Sequence, residues 1–299
     1  MLDVAAAAQL ACLLEVSAPK PGNVSPGRHF SDTRYEDFLA SAAAIGSSFA
    51  RAADLPLGAL IHQAVGATSQ WTRSNTNLGI VLLLAPLTQA ASHLITQSRA
   101  DAIAPSDLRR AVMGVLEETT IDDSREVYKA IRLASPGGLG RTEEQDILDE
   151  PTMRLTDIMR LAAARDAVAR EYATIYETTF EVGAPAVVKA RSDGLTWDQA
   201  VTETFLQLLS LNADSHITRR AGLSTACKVS QQARRVIEEG GIRTSSGREA
   251  LRKMDAELRD SRNMTNPGAT ADLTAAGLFV ALVGGHWSNQ PGGADAGAR

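Results

Sequence analysis

Apolar positions along this 299-residue chain recur with the helical period. Tyr35, Phe38, Leu39, Ala42, Ile45 and Phe49 follow the i, i+3, i+4, i+7 rhythm and predict one helix, with Ser31 or Asp32 as its cap. Leu155, Ile158, Met159, Ala162, Ala163, Ala169, Tyr172 and Tyr176 predict a second, which would carry Asp166 on its buried stripe. Trp197, Ala200, Val201, Thr204, Phe205, Leu208 and Leu209 predict a third, capped by Thr196 and prolonged by the segment that follows it. Ser106-Asp107-Leu108 opens a helix to about Glu118. Pro267 suits a first helical position with Asn266 as cap, and that helix should end at Gly284-Gly285. Period-2 runs of β-branched residues are almost absent, and alanine is abundant. The fold class is therefore all-α: a single multi-helix, bundle-like domain of roughly ten to twelve helices. The domain should span residues 1–285, with 286–299 as a disordered tail. Ser135 to Pro151 reads as a loop inside the domain, since the apolar pattern resumes beyond it without a linker.

Composition narrows the class. Hydrophobic residues make up 44%, enough for a full core, and the net charge is -5 without a basic stripe, which argues against nucleic acid as a partner. The most apolar run, Leu78 to Leu87, is about half the ~20 residues a bilayer span needs, so it reads as a core helix and no membrane is expected. The N-terminus lacks a basic leader, and the location is read as cytoplasmic. Cys12 and Cys227 are both expected to be buried free thiols. Five scattered histidines make no zinc constellation, and no P-loop, dinucleotide fingerprint or nucleophile elbow is present.

Chemistry must then lie at loops and helix ends, where four polar segments stand out. Ser17-Ala18-Pro19-Lys20-Pro21-Gly22-Asn23 holds Lys20 on a stiff, twice-proline support suited to a phosphate contact, and His29 and Asp32 follow it. Arg73 to Gly79, with Asn75, Thr76 and Asn77, sits directly before the most apolar helix and could bind an anion or simply cap it. Asn212 to Gly222 offers Asp214 as a carboxylate and Arg219 as a cation, or a surface ion pair. Asn266 to Leu273 embeds Asp272 in an otherwise apolar helix, where an unpaired carboxylate is costly unless a cation or helix dipole compensates it.

In this order the four segments resemble the triphosphoribosyl-dephospho-CoA synthases, from about residue 8 to 283. Ser17-Ala18-Pro19-Lys20-Pro21-Gly22 resembles the family's Ser/Thr-Pro-Lys-Pro-Gly opening, and His29 and Asp32 fall where it has a histidine and an acid. Asn75-Thr76 begins what in the family reads Asn-Thr-His-Lys-Gly, but Asn77-Leu78 replaces the His-Lys. Asp214 to Gly222 resembles a helix junction, and Pro267-Gly268 with Ala271-Asp272-Leu273 resembles Ser-Pro-Gly-Gly-x-Ala-Asp-Leu. Asn23 and Ser25 also depart from the pattern, which suggests a divergent subgroup.

The resemblance implies a transferase that takes ATP and 3'-dephospho-CoA. The acceptor's 2'-hydroxyl would attack C1' of the ATP ribose, and adenine would leave. It implies Mg²⁺ on the triphosphate, with Asp214 and Asp272 as metal carboxylates. Lys20, Gly22, Asn23, Asn75, Thr76, Asn77 and Arg219 would contact substrate, and His29, Asp32 and Asp214 would serve catalysis. A homodimer is compatible with it. Two other readings stay open: a nucleotide-using transferase with another acceptor, such as a one-carbon carrier, and a helical nucleotide- or CoA-binding protein without turnover.

Overall fold

The computed structural model describes residues 2–98, 101–259 and 262–287, and among these residues the chain forms fifteen α-helical segments and no strand. The first seven are α1 (Val4–Ser17), α2 (Tyr35–Ala44), α3 (Gly46–Phe49), α4 (Leu57–Ser69), α5 (Leu78–Ser98), α6 (Pro105–Glu117) and α7 (Ile121–Ala134). After a long loop come α8 (Leu155–Ala162), α9 (Ala167–Thr174), a π-helical turn (Thr179–Gly183), α10 (Ala184–Ser192) and α11 (Trp197–Leu211). The last are α12 (Ser215–Ala221), α13 (Leu223–Glu238), α14 (Ser245–Leu258) and α15 (Gly268–Val283).

The count exceeds ten to twelve because three expected helices are each broken once, and each break has a polar cause. In the first, Gln9 of α1 donates its amide to the carbonyls of Ala42 (3.2 Å) and Ala43 (2.9 Å), acceptors that a continuous helix would use itself. The break falls at Ile45, and at Gly46, the first residue of α3, a Cβ would meet the Gln9 side chain at 2.4 Å. The cap of α2 is Arg34 rather than Ser31 or Asp32, and its N–H is taken by the Asp37 carboxylate at 2.8 Å. In the second, Asp166 is not on a buried stripe but is the N-cap of α9, accepting from the Ala169 N–H at 3.0 Å. In the third, Asp214 caps α12 through Ile217 N–H at 3.0 Å, so this segment starts a new helix instead of prolonging α11.

The central helices are α5 and α15. The helix α5 is longer than its apolar run suggested. Leu78–Gln97 is long and apolar enough to cross a membrane by length and composition, but 78% of that window is buried inside the fold. Pro86 lies within it and has no N–H to give the carbonyl of Leu82. The hydroxyl of Tyr172 supplies that bond at 2.7 Å, and Tyr176 donates to the next carbonyl, Leu83, at 2.9 Å.

Fourteen of the sixteen residues of α15 are buried, and the two that are not are Gly268 and Asp272. The helix starts one residue later than expected, with Pro267 in the cap position, while Asn266 accepts from Arg220 at 3.2 Å. It packs on α1, α5, α10 and α11 in the main core, and a smaller core of Phe205, Leu206, Leu209, Ile217, Val229 and Met254 joins α11 to α14. Cys12 is buried as expected, but Cys227 is exposed. Most of the expected tail, residues 288–299, lies outside the described residues, and Trp287 before it stacks on Trp197 with centroids 5.1 Å apart.

Candidate functional site

The helix ends meet around a cleft of about 480 Å³. Its walls are the loop after α1, the turn before α5, Pro136-Gly137, and the first turns of α12 and α15. A second compartment of about 400 Å³ continues from it between α5, α7, α8 and α9. Asn75, Leu78, Gly79, His216, Arg219 and Asp272 line both and form the junction.

Asp272 stands at that junction. No hydrogen bond or ion pair to its carboxylate occurs among the described residues. Burial, and then the neighbouring carboxylates Glu15, Asp214 and Asp166, push its pKa well above the ordinary value, with Arg219 opposing them. The backbone leaves it room: a Cβ on Gly79 would lie 2.0 Å from Asp272 Oδ2. Gly268 does the same for His216, whose Nδ1 would be 2.2 Å from a Cβ there. His216 is held against Arg220, with NH1 3.3 Å from its Nε2. Burial, followed by the charges of Arg219 and Arg220, depresses the imidazole pKa to about 3, so it is neutral at ordinary pH.

The polar compartment carries three guanidinium groups, Arg73, Arg219 and Arg220. Arg219 donates Nε to the Gly137 carbonyl at 3.1 Å and lies 3.9 Å from Asp166. Arg220 is bound to the carbonyls of Asn263 (2.8 Å) and Arg262 (3.1 Å), which ties the segment before α15 to α12. The N-terminus of α5 opens between them, with Asn75 Oδ1 accepting from the Leu78 N–H at 3.1 Å.

The structure divides the candidates picked from the sequence. Asn23, Asp32, Asn75, Thr76, Asn77, Arg219 and Asp272 line the polar compartment. Lys20 lies behind it, 1% exposed, with Nζ 3.0 Å from the Glu15 carboxylate and 3.2 Å from the Ala18 carbonyl. Gly22 adopts φ 73° and gives its N–H to Asp255 at 2.9 Å, while Arg259 spans Asp255 and the Asn23 carbonyl (2.8 Å). That network fixes the loop that presents Asn23. Asp214 is also behind the surface: Oδ1 caps α12, and Oδ2 accepts from Thr270 N–H (2.8 Å) and Thr270 Oγ1 (2.7 Å). Thr76 bonds the Ser41 hydroxyl, and Asn77 donates to Thr68 at 3.0 Å. His29 is exposed and accepts from the Tyr35 N–H at 3.1 Å, outside the lining.

Four titratable lining residues were not among the candidates. His216 and Arg220 sit in the Asn212–Gly222 segment and Arg73 in the Arg73–Gly79 segment, so their positions were visible but their roles were not. Glu15 gave no signal, because it lies in an apolar helix as any solvated acid could. Burial raises its pKa against the pull of Lys20.

Residues 1–291 match the family described as CitG, ATP:dephospho-CoA triphosphoribosyl transferase. Among curated proteins, the chain is 33% identical over 105 residues to a 2-(5''-triphosphoribosyl)-3'-dephosphocoenzyme-A synthase of Escherichia fergusonii, covering 35% of this chain and 34% of that protein. It is 38% identical over 81 residues to the synthase of the same name from Klebsiella pneumoniae, covering 27% of this chain and 26% of that one. These matches thus span about a third or less of the curated relatives' length. A crystal structure from Archaeoglobus fulgidus, described as a candidate triphosphoribosyl-dephospho-CoA synthase, superposes with TM-score 0.63 at 28% identity, covering 83% of this chain and 99% of that one.

Proposed function

This chain belongs to the ATP:dephospho-CoA triphosphoribosyl transferase family, and from that premise we propose that its two-part cleft transfers the triphosphoribosyl group of ATP to the 2'-hydroxyl of 3'-dephospho-CoA. The observation that carries this reading is Asp272, a carboxyl group with no protein partner among the described residues, in a cleft also lined by Arg73, Arg219 and Arg220. Arg73, Arg219 and Arg220 with the α5 N-terminus suit a triphosphate. In the reaction the C1'–N9 bond breaks and its electron pair leaves on adenine. The acceptor oxygen forms the new bond to C1', and its proton must go to a base. Asp272, whose pKa burial and the neighbouring carboxylates raise, serves as the acid that protonates the departing adenine. Asp32, exposed on the polar wall, is the carboxylate assigned as the base. Lys20, Gly22 and Asp214 act by holding the walls in place, since their polar atoms already have protein partners.

Mg²⁺ belongs to this reading as a companion of the triphosphate, whose charge it would neutralise. No group of three metal-capable side chains occurs among the described residues, so the donor set fits an ion held mainly by phosphate and water, and Asp214 is already saturated. The location is read as cytoplasmic, where ATP is available.

A different acceptor is the second reading. Asn77 is turned onto Thr68 and Leu78 faces both compartments, so this wall has no cation where the family's His-Lys would stand. Adenine release from ATP is the deciding assay. Release that depends on dephospho-CoA supports the transfer. Release that needs another acceptor supports the second reading, and nucleotide binding without release means a binding protein.

A further inference from the structure

Resting on the transfer reading, we propose that the second compartment is the seat of the acceptor's pantetheine arm, and not of the base of ATP. Its deep wall is alkyl: Val127, Ile131, Leu155, Ile158, Met159 and Val168, contributed by α7, α8 and α9. A purine would need free donors and acceptors to read its edge. Inward of the junction formed by Asn75, His216, Arg219 and Asp272, and apart from the exposed Arg165, the polar groups lining this space are already engaged with protein. Asp146 accepts from Thr142 N–H (2.8 Å) and Leu148 N–H (2.9 Å). Gln145 exchanges two bonds with Thr152, at 2.8 and 3.0 Å, and Tyr128 donates to the Gln145 carbonyl at 2.6 Å. Asp166 accepts from the Ala169 N–H (3.0 Å), and Ser215 from the Ala167 N–H (3.1 Å).

What remains is a wall for a flexible, weakly polar chain. The space opens into the arginine-lined compartment at Arg219 and Asp272, so a diphosphate at that opening could keep one end among the guanidiniums while a long alkyl-amide arm runs inward. Dephospho-CoA has this division, and ATP has no apolar arm to place there. The far wall is the loop after α7, which Tyr128 and Arg132 pin back at the carbonyls of Gln145 and Ile147 (2.9 Å).

The test compares dephospho-CoA with ADP, which keeps the adenosine diphosphate and lacks the arm. Wild-type enzyme should favour dephospho-CoA at least about tenfold in kcat/KM, the scale of a few buried methylenes. Ala162→Trp, on the half-exposed flank of the compartment, should narrow that preference about tenfold or more, with the KM for ATP unchanged. Leu139→Asp, in the exposed loop, puts a charge into the same space without touching the core and should do the same. Equal use of the two acceptors by wild type overturns the proposal, as does a variant that raises the ATP KM and keeps the acceptor ratio. Calorimetry keeps the two readings apart. If no adenine is released with any acceptor, the transfer reading fails. The compartment is still decided by whether Ala162→Trp and Leu139→Asp weaken dephospho-CoA binding and spare ADP, or leave both unchanged, which overturns it.

Discussion

Two rows of polar residues surround the cleft, and they differ in one respect. The front row, Arg73, Asn75, His216, Arg219 and Asp272, keeps atoms facing the open space. The back row, Lys20, Asp214 and Asp255, is buried, and its charged atoms are committed to protein partners. Asp214 and Asp272 make the contrast sharp, since each is an acid beside the start of α15. Asp214 has three donors and Asp272 has none among the described residues. A saturated buried carboxylate holds structure together, whereas a half-buried one without a protein donor is left facing the cleft, where a ligand can meet it. The motif residues of this chain therefore serve two purposes, and partner saturation separates them.

The largest effect should come from the front row. Asp272→Asn should lower adenine release by about 10²–10⁴-fold, the usual worth of general acid catalysis, while ATP still binds. Thermal unfolding should show a fold at least as stable as wild type near neutral pH, because the substitution removes a carboxyl that burial disfavours as an anion. If ATP affinity collapses along with turnover, Asp272 holds a cation on the nucleotide and the acid assignment is wrong.

The back row should show the reverse signature. Lys20→Met leaves the Glu15 carboxylate buried without its counter-charge and should cost about 3–5 kcal/mol of stability in urea titration. Asp214→Ala removes a helix cap and orphans the Thr270 hydroxyl and N–H, for about 2–4 kcal/mol. Any variant protein that stays folded should keep its KM for ATP within a few fold. A Lys20→Met enzyme of normal stability and poor ATP affinity would restore Lys20 as a phosphate contact and erase the distinction.

How much of this was legible in the sequence follows from the same contrast. Helical periodicity gave the fold class and most core positions, because burial is written in the spacing of apolar residues. It missed the breaks at Ile45, Asp166 and Asp214, where a side chain from elsewhere or a local cap replaces a helix bond. It also underestimated α5, since the bonds from Tyr172 and Tyr176 that accommodate Pro86 come from some ninety positions away. Within the site, the segments were visible but the rows were not. Lys20 on its prolines reads as a presented cation, and only the fold reveals Glu15 beneath it. Glu15 itself was unreadable, because one acid in an apolar helix has no signature until its surroundings are known.

His216 gives the contrast a pH dependence. Its pKa is about 3 in the fold against an ordinary 6.5, so between these values the unfolded chain binds a proton that the folded one refuses. Stability therefore falls as pH drops from 6.5 toward 3, by on the order of 2 kcal/mol once water in the cleft is allowed for. His216→Gln should flatten that part of the stability–pH curve, measured by urea unfolding at intervals of pH. A curve identical to wild type would show that burial and the two arginines do not keep the imidazole neutral.

The smallest predicted effect concerns what stands behind the second compartment. Leu82 lines that space, and its carbonyl faces Pro86, which has no N–H to offer. Tyr172 is its donor, at 2.7 Å in a buried setting. Tyr172→Phe should leave the carbonyl unsatisfied and cost about 1–2 kcal/mol. Tyr176→Phe is the control. Its acceptor, the Leu83 carbonyl, still has Leu87 one helical turn ahead as a possible partner, so the loss should be about half as large. Both tyrosines are buried and lose the same hydroxyl, so the volume change is common to the pair and cancels from the comparison. If the two variants cost the same, the proline is not what makes Tyr172 matter. If Tyr172→Phe alone is costly, and also weakens dephospho-CoA binding more than ADP binding, the bond that Tyr172 makes to α5 beside Pro86 is part of what shapes the inner compartment.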